Sequence, residues 1–202
     1  MKTNYLSSAL ALYLIEKYFV ILVIVVGRCI AYTHDLKPSD IVISRRVITG
    51  DVDQVNEDNV KYGQIPGFDQ IFDCSEDVIS YLSSAFEKRT YSVVKNANFV
   101  SSSVDYHKPG QIYDIEEFNL ILGFDNHVVF DTNCGGVALA SSLTKVPFVV
   151  VKVVERYLDQ MSDVKSYLKA MKEYVNIGKA VVTCIGDIGS NEIITGEGGA
   201  NG

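Results

Sequence analysis

Apolar strands and helical patterns alternate through the second half of the chain, and this order restricts the fold more than any other feature. Strands are predicted at 127–130 and 146–154, and helices at 134–144 and 162–185. The last helix is expected to break or fray around 176–178. Strands that are apolar on both faces need covering on both faces. The pattern therefore predicts a three-layer α/β domain, in which helices flank a mixed or mainly parallel sheet.

The first half supplies further elements of both kinds. Thr3 or Asn4 is expected to cap a helix over 7–18, where apolar residues recur at helical spacing. Further strands are predicted at 19–26, 40–48 and 91–94, and further helices at 75–88 and 114–122. The long polar loop 50–70 is typical of a functional or interface segment. We assign 1–188 to one domain and the glycine-rich segment 189–202 to a disordered tail.

The stretch FVILVIVV at 19–26 resembles part of a membrane span. It is far shorter than the roughly 20 residues that a helix needs to cross a bilayer. Glu16 and Lys17 precede it and Arg28 follows it, so neither a membrane helix nor a signal peptide fits the pattern. We interpret the stretch as a buried strand.

Charge and cysteine usage exclude several classes of partner. A net charge of −7 disfavours nucleic acid and anionic membranes, which require a cationic surface. The cysteines and histidines are not spaced as ligands of one metal, and no phosphate-binding glycine motif occurs, so we expect neither a metal nor a cofactor. The cysteines are typical of free thiols in a reducing compartment, the cytoplasm. These residues are Cys29, Cys74, Cys134, Cys184, His34, His107 and His127.

Three phrases carry a family resemblance. LKPSDIVIS at 36–44, YGQIPG at 62–67 and VPFVVVK at 146–152 resemble, in order and spacing, the methylthioadenosine/S-adenosylhomocysteine nucleosidases of the purine nucleoside phosphorylase superfamily. In that family the first phrase reads LKxGDIVIS and the third is the strand VPFxVVR. The second is a loop that reaches the partner subunit of the dimer. It implies a homodimer with Tyr62 and Pro66 in the dimer loop. The likeness runs from about Lys2 to Ile188.

The resemblance also implies a departure at the N-terminal side. Chains of the family normally start earlier, with three strands and a catalytic glutamate upstream of the segment that 2–4 resembles. We therefore expect a nucleoside-phosphorylase-like domain that lacks its first strands. Such a loss would expose a sheet edge and apolar surface, which another chain or a rearrangement must cover.

The chemistry of the family can be compared with the residues present. Cleaving a purine N-glycosidic bond requires an acid at the purine, a base at the water and an anion near the sugar. The resemblance implies that E-M-E corresponds to Asp131-Thr132-Asn133, so Asn133 replaces the sugar-binding carboxylate. It implies that S-D-x-A-D corresponds to 155–159, so Arg156 replaces the acid. A guanidinium stays protonated and cannot protonate a purine.

Other residues remain candidates for the site. A shift of one position would let Glu155 serve as the acid. A rebuilt site would use Glu155 or Asp131, with Arg156 and Lys152 binding an anionic substrate such as phosphate. The resemblance implies that Phe99 stacks on adenine while the Val100 backbone meets its polar edge. The glycine-rich turn of the family, NxGxAGG, is replaced by bulkier residues at 25–31. Cys134 is expected to be structural, and Asp51 and Asp53 are expected to be structural or to lie at the dimer contact.

These observations favour a degenerate homologue of the nucleosidases. We expect it to be inactive or impaired and to act as a structural or regulatory partner, in a homodimer or in a heterodimer with a complete paralogue. One alternative is an active nucleosidase or nucleoside phosphorylase with a rebuilt site. Another is a sensor that binds an adenine nucleoside without chemistry.

Overall fold

The fold is a mixed sheet with helices packed against it. The computed structural model describes residues 3–32, 35–52, 60–89, 91–102, 127–158, 160 and 164–190. Within these residues the strands are β1 (Val23–Ala31), β2 (Ile41–Thr49), β3 (Phe72–Asp73), β4 (Val93–Ser101), β5 (Val128–Asp131) and β6 (Phe148–Tyr157). The helices are α1 (Asn4–Tyr18), α2 (Glu76–Glu87), α3 (Cys134–Thr144) and α4 (Val164–Ser190). The predicted α/β class is confirmed.

The sheet closes on itself, which the sequence did not predict. Its strand order is β3-β2-β4-β5-β1-β6, and β6 also pairs with β2, so β1, β6, β2, β4 and β5 form a ring. Strands β2, β4 and β5 run parallel to one another. Strands β1 and β6 are parallel to each other and antiparallel to that group. The carboxyl ends of β2, β4 and β5 therefore meet at one edge.

The core lies between the sheet and the helices that cover it. Helices α2 and α4 pack against the sheet and contact each other, whereas α3 packs against the sheet and carries α1 on its other side. Strand β6 is buried from Phe148 to Arg156, as expected for a strand covered on both faces. The largest side chains of the main core cluster are Phe72, Phe86, Phe99 and Phe148.

Several predicted boundaries need correction. The strand predicted at 19–26 begins only at Val23, because Phe19 adopts a left-handed conformation (φ 52°) and ends α1. The segment 25–31, which the resemblance aligns with the glycine-rich turn of the family, lies within β1. Strand β4 extends to Ser101, beyond the predicted end at 94. The helix predicted at 114–122 and most of the predicted tail lie outside the described residues.

The break predicted around 176–178 does not occur, since α4 is continuous through Gly178. Glycine in a helix interior costs about 1 kcal/mol relative to alanine. The neighbouring side chains of Ile177, Ala180 and Val181 are buried in the core, and this packing holds the helix together. Tertiary burial has outweighed local propensity here.

Helices α1 and α3 approach each other closely at Gly136. A Cβ atom at that position would lie 1.9 Å from the backbone oxygen of Asn4 and 2.3 Å from Ser7 Oγ. Ser7 Oγ also donates a hydrogen bond to the backbone oxygen of Asn133, 2.7 Å away. Thr3 caps α1 as predicted, with its hydroxyl accepting from the backbone N–H of Leu6. The start of α1 is thus fixed to the start of α3.

We expect Gly136→Ala to lower the free energy of unfolding by about 1–3 kcal/mol, because the added methyl group meets backbone that cannot move without separating the helices. The matched control is Gly178→Ala, whose Cβ would meet nothing within 4 Å. It should raise the stability by up to about 1 kcal/mol. Urea denaturation measures the free energy of unfolding of both variants. Equal changes in the two variants would contradict the close α1–α3 contact.

Candidate functional site at the carboxyl ends of three parallel strands

Polar side chains collect where β2, β4 and β5 end. Thr49 pairs in register with Ser101, and Ser101 pairs with Asp131. The carboxyl ends of parallel strands are the usual place for ligands in α/β proteins. This edge is therefore the candidate site, and Asp131 is the predicted site residue that it presents.

A buried ion pair forms the centre of the site. Lys152 Nζ lies 2.9 Å from Asp131 Oδ2, and the two side chains are 2% and 1% exposed. Lys152 Nζ also donates to Asn133 Oδ1 at 2.8 Å. The thiol of Cys134 donates to Asp131 Oδ1 at 2.9 Å, and the backbone N–H of Cys134 donates to the same carboxylate. The structure thus brings Asp131, Asn133 and Lys152 together.

A glycine makes this arrangement possible. Strand β1 lies between β5 and β6, so Lys152 on β6 has to cross β1 to reach Asp131 on β5. Gly27 is the residue of β1 that pairs with Lys152. A Cβ atom at Gly27 would lie only 2.8 Å from Lys152 Nζ. The lysine fills the space that the absent side chain leaves.

Both members of the pair are charged. Burial alone would raise the pKa of Asp131, but the charge of Lys152 and the hydrogen bonds to the carboxylate hold that pKa below its ordinary value. Burial alone would lower the pKa of Lys152, but the Asp131 carboxylate holds it above its ordinary value. Burial and the negative charge of Asp131 raise the pKa of Cys134 well above the usual range, so it remains a thiol. A buried thiol of raised pKa is a poor nucleophile, so the structural role stays the prediction for Cys134.

The hydrogen bond from Lys152 also fixes what Asn133 can offer a ligand. An ammonium group only donates, so the side-chain oxygen of Asn133 must face it. The side-chain NH₂ group points away from the ammonium group and is a donor. The resemblance assigns this position to an acceptor of ribose hydroxyls, and here Lys152 takes one of the two lone pairs of the acceptor oxygen.

Asn4 ties the first helix to this edge, a contact that sequence reasoning missed. Its Oδ1 accepts from Ser101 Oγ at 2.9 Å and from the backbone N–H of Gly136 at 3.1 Å. One side chain thus joins α1, β4 and α3. The sequence marked Asn4 only as a possible helix cap, and no local pattern shows a partner 97 residues away.

Glu155 and Arg156 have partners of their own. Glu155 forms an ion pair with Arg28, and the Arg28 guanidinium lies 4.5 Å from the centre of the Tyr167 ring. Arg156 donates to the backbone oxygen of Tyr157 at 2.9 Å and to that of Gln160. Neither side chain takes part in the hydrogen bonds that join Lys152 to Asp131 and Asn133.

The predicted adenine-binding pair is fully buried. Phe99 and Val100 are both 0% exposed and belong to different core clusters, Phe99 to the large one and Val100 to a smaller one with Ile48 and Phe130. Thr132, the middle residue of the E-M-E counterpart and a predicted substrate-binding residue, is partly exposed beside Asp131.

The predicted dimer loop begins at the same edge. The Tyr62 hydroxyl donates to the backbone oxygen of Gly50, and Thr49 Oγ1 donates to that of Gly63. Gly63 has a φ of +76°, and its Cβ would collide with Ile48, so glycine is required at this turn. Pro66 is exposed beyond it.

The structure shows the position of some of the remaining candidate residues, and others lie outside the described residues. His127 contacts Asp35 at 2.6 Å. Among the residues that the structure describes, no cluster suited to a metal ion is present, and no helix is long and apolar enough to span a membrane. All four cysteines are buried and free of disulfides. His34, His107, Asp53 and residue 159 of the motif lie outside the described part.

The sequence relatives of the chain are nucleosidases. It is 26% identical over 151 residues to the 5'-methylthioadenosine/S-adenosylhomocysteine nucleosidase of Bacillus cereus (strain G9842), which covers 75% of this chain and 63% of that protein. The corresponding protein of Bacillus thuringiensis (strain Al Hakam) is 25% identical over the same lengths. The resemblance to this family is confirmed. The chain spans less than two thirds of the length of these nucleosidases, and no protein-family model matches it.

Solved nucleosidase structures share the fold. The Helicobacter pylori methylthioadenosine/S-adenosylhomocysteine nucleosidase matches with a TM-score of 0.77 at 16% identity, covering 92% of this chain and 76% of that one. The S-adenosylhomocysteine nucleosidase of Streptococcus pyogenes, in complex with 5-methylthiotubericidin, has a TM-score of 0.78 at 17% identity with the same coverage. The futalosine hydrolase of Helicobacter pylori also gives 0.78, at 16% identity and the same coverage.

We expect Lys152→Met to lower the free energy of unfolding by about 3–5 kcal/mol at neutral pH, because it leaves Asp131 buried without a counter-charge. Asp131→Asn should also destabilise the fold. The double variant should lose clearly less than the sum of the two single losses, since both charges are then gone. Urea denaturation of the four proteins measures this coupling, and strictly additive losses would argue against the pair.

The pH dependence of the same variants provides a second readout. Because the pKa of Asp131 is lowered by folding, its contribution is present above the ordinary carboxyl pKa and is lost as the pH falls through the lowered value. Because the pKa of Lys152 is raised, its contribution is present below the ordinary amine pKa and is lost as the pH rises through the raised value. The stability difference between wild type and Lys152→Met should therefore be greatest between these limits.

Proposed function

We propose that this chain is a degenerate relative of the methylthioadenosine/S-adenosylhomocysteine nucleosidases, with impaired or no N-glycosidic hydrolysis, that acts as a structural or regulatory partner. The observation that supports this most directly is the surroundings of Lys152, which hold one carboxylate and an uncharged amide where the resemblance implies two carboxylates. Its ammonium group is bound at once to Asp131 and to Asn133, at 2.9 and 2.8 Å. The polar centre of the site is occupied by the protein's own cation.

The electrostatics of the reaction support this proposal. Cleavage leaves positive charge on the ribose carbon, which a nearby anion would stabilise. Asp131 is an anion, but Lys152 neutralises it, and Asn133 carries no charge. A cluster that sums to zero charge and contains an ammonium group offers little stabilisation to a developing cation.

The position of the proton donor supports it as well. Arg156 stands where the resemblance places the acid, and its guanidinium donates to two backbone carbonyls. A permanent cation cannot transfer a proton to a departing purine. The carboxylate of Glu155, the alternative acid, is engaged by Arg28.

We expect the purified chain to release adenine from methylthioadenosine or S-adenosylhomocysteine at a rate far below the turnover of roughly 1–10³ s⁻¹ that is typical of enzymes. Adenine release is measured by chromatography over hours, with one of the Bacillus nucleosidases as the positive control. Turnover within the enzymatic range would overturn the proposal. If Glu155→Gln then abolished that turnover while Glu76→Gln, a matched change at an exposed position of α2, left it intact, the rebuilt-site alternative would replace it.

Binding is tested separately from turnover. Calorimetric titration with adenine and with methylthioadenosine should show no saturable heat, because Phe99 is fully buried and Asn133 has its acceptor engaged. Saturable binding without turnover would favour the adenine-nucleoside sensor over a purely structural role. Substitutions of Phe99, Val100 and Thr132 would then be the first test of where the nucleoside binds.

We also propose that the chain forms a homodimer in the cytoplasm, with a heterodimer with a complete paralogue as the alternative. Helix α1 and the residues after it expose a row of large apolar side chains, which monomeric proteins rarely leave uncovered. They are Tyr5, Leu6, Tyr13, Tyr18, Phe19 and Ile21, each more than half exposed. The loop of Tyr62 and Pro66 starts at the same edge as α1.

Sedimentation velocity at micromolar concentration should find a dimer. Leu6→Glu combined with Leu10→Glu should convert it to a monomer, because two charges would be buried in the contact. Val182→Glu, at an exposed apolar position of α4, serves as the control and should leave the dimer intact. A wild-type monomer would point to the heterodimer instead.

A further inference from the structure

A cavity lies outside the polar cluster of Asp131, Asn133 and Lys152. It has a volume of about 360 Å³, within the range of about 300–1,000 Å³ that is usual for small-molecule sites. It opens between the second half of α3, the α3–β6 connection and the segment that leads into β3. The described residues that line it include neither Asp131 nor Lys152. Nothing in the proposed function uses this cavity.

Ser141 is the residue that points to a ligand. It lines the cavity, is only 3% exposed, and its Oγ has no hydrogen-bond partner within the described part of the protein. Leaving a buried hydroxyl unsatisfied costs about 1–3 kcal/mol. Other buried or helical hydroxyls avoid this cost by donating to the carbonyl four residues back, as Ser83 and Thr144 do. Ser141 makes no such bond with its own helix.

The two walls of the cavity carry opposite polarity. The α3 wall presents donors, the hydroxyls of Ser141 and Ser142 and the ammonium group of Lys145. The facing wall presents the carboxylates of Asp69 and Asp73. Arg46 contacts Asp73 at 3.4 Å and is the cation on that side. Apolar surface between the walls comes from Ile71, Phe72, Ala138, Val146 and Phe148.

We propose that this cavity binds a small zwitterion with an apolar side group, the chemistry of a free apolar α-amino acid. A carboxylate would accept from Ser141, Ser142 and Lys145. An ammonium group would donate to Asp69 and Asp73, and the side group would cover the apolar floor. A ligand with a single charge would satisfy only one wall. The site is independent of the polar cluster and of any catalytic activity.

Three probes of the same shape test this chemistry. L-phenylalanine carries both charges, 2-phenylethylamine lacks the carboxylate, and 3-phenylpropionate lacks the ammonium group. Calorimetric titration and amide chemical-shift changes at 138–148 should show saturable binding of L-phenylalanine. Each singly charged probe should bind at least tenfold more weakly, about 1.4 kcal/mol. Equal binding of all three, or binding of none, would overturn the proposal.

Ser141→Ala tests the role of the hydroxyl without endangering the fold. It should weaken the binding of L-phenylalanine about tenfold, while the free energy of unfolding stays equal or rises, because an unsatisfied buried group is removed. Ser84→Ala, on the exposed side of α2, is the control and should change neither quantity. A loss of stability in Ser141→Ala, an altered sedimentation coefficient, or unchanged binding would each contradict a ligand site at Ser141.

Discussion

The ion pair between Lys152 and Asp131 is the interaction around which the polar interior of this protein is arranged. Two charges this deeply buried are tolerated only together, because the desolvation of either one alone costs several kcal/mol. The pair joins β6 to β5 across β1, and its hydrogen bonds extend to Cys134 at the start of α3. The position of α3, and of α1 above it, follows from that anchor.

The same interaction sets the chemical character of the candidate site. A lysine that reaches across Gly27 takes up the volume in front of that residue and the acceptor of Asn133. The ion pair that stabilises the interior also neutralises the carboxylate of Asp131.

Local patterns predicted the elements well and the connections between them poorly. Helix α3 was predicted with the bounds observed, because its small residues follow directly on a short strand and end before an apolar run. The predicted break in α4 failed because the burial of Ile177 and Val181 outweighs a glycine. The contact of Lys152 with Asn133 was not predicted, although both residues were named as site candidates. It depends on the register of three strands, and no local pattern shows that register.

The charge balance of the cluster explains why an amide stands at position 133. The backbone oxygen of Asn133 accepts from Ser7 and so fixes the position of the residue whatever its side chain. A carboxylate there would place two anions around the single ammonium group of Lys152, and their mutual repulsion would raise the pKa of one of them. With asparagine, one anion meets one cation, and the amide accepts a further hydrogen bond from the ammonium group. The charges of Asp131 and Lys152 then balance each other within the cluster.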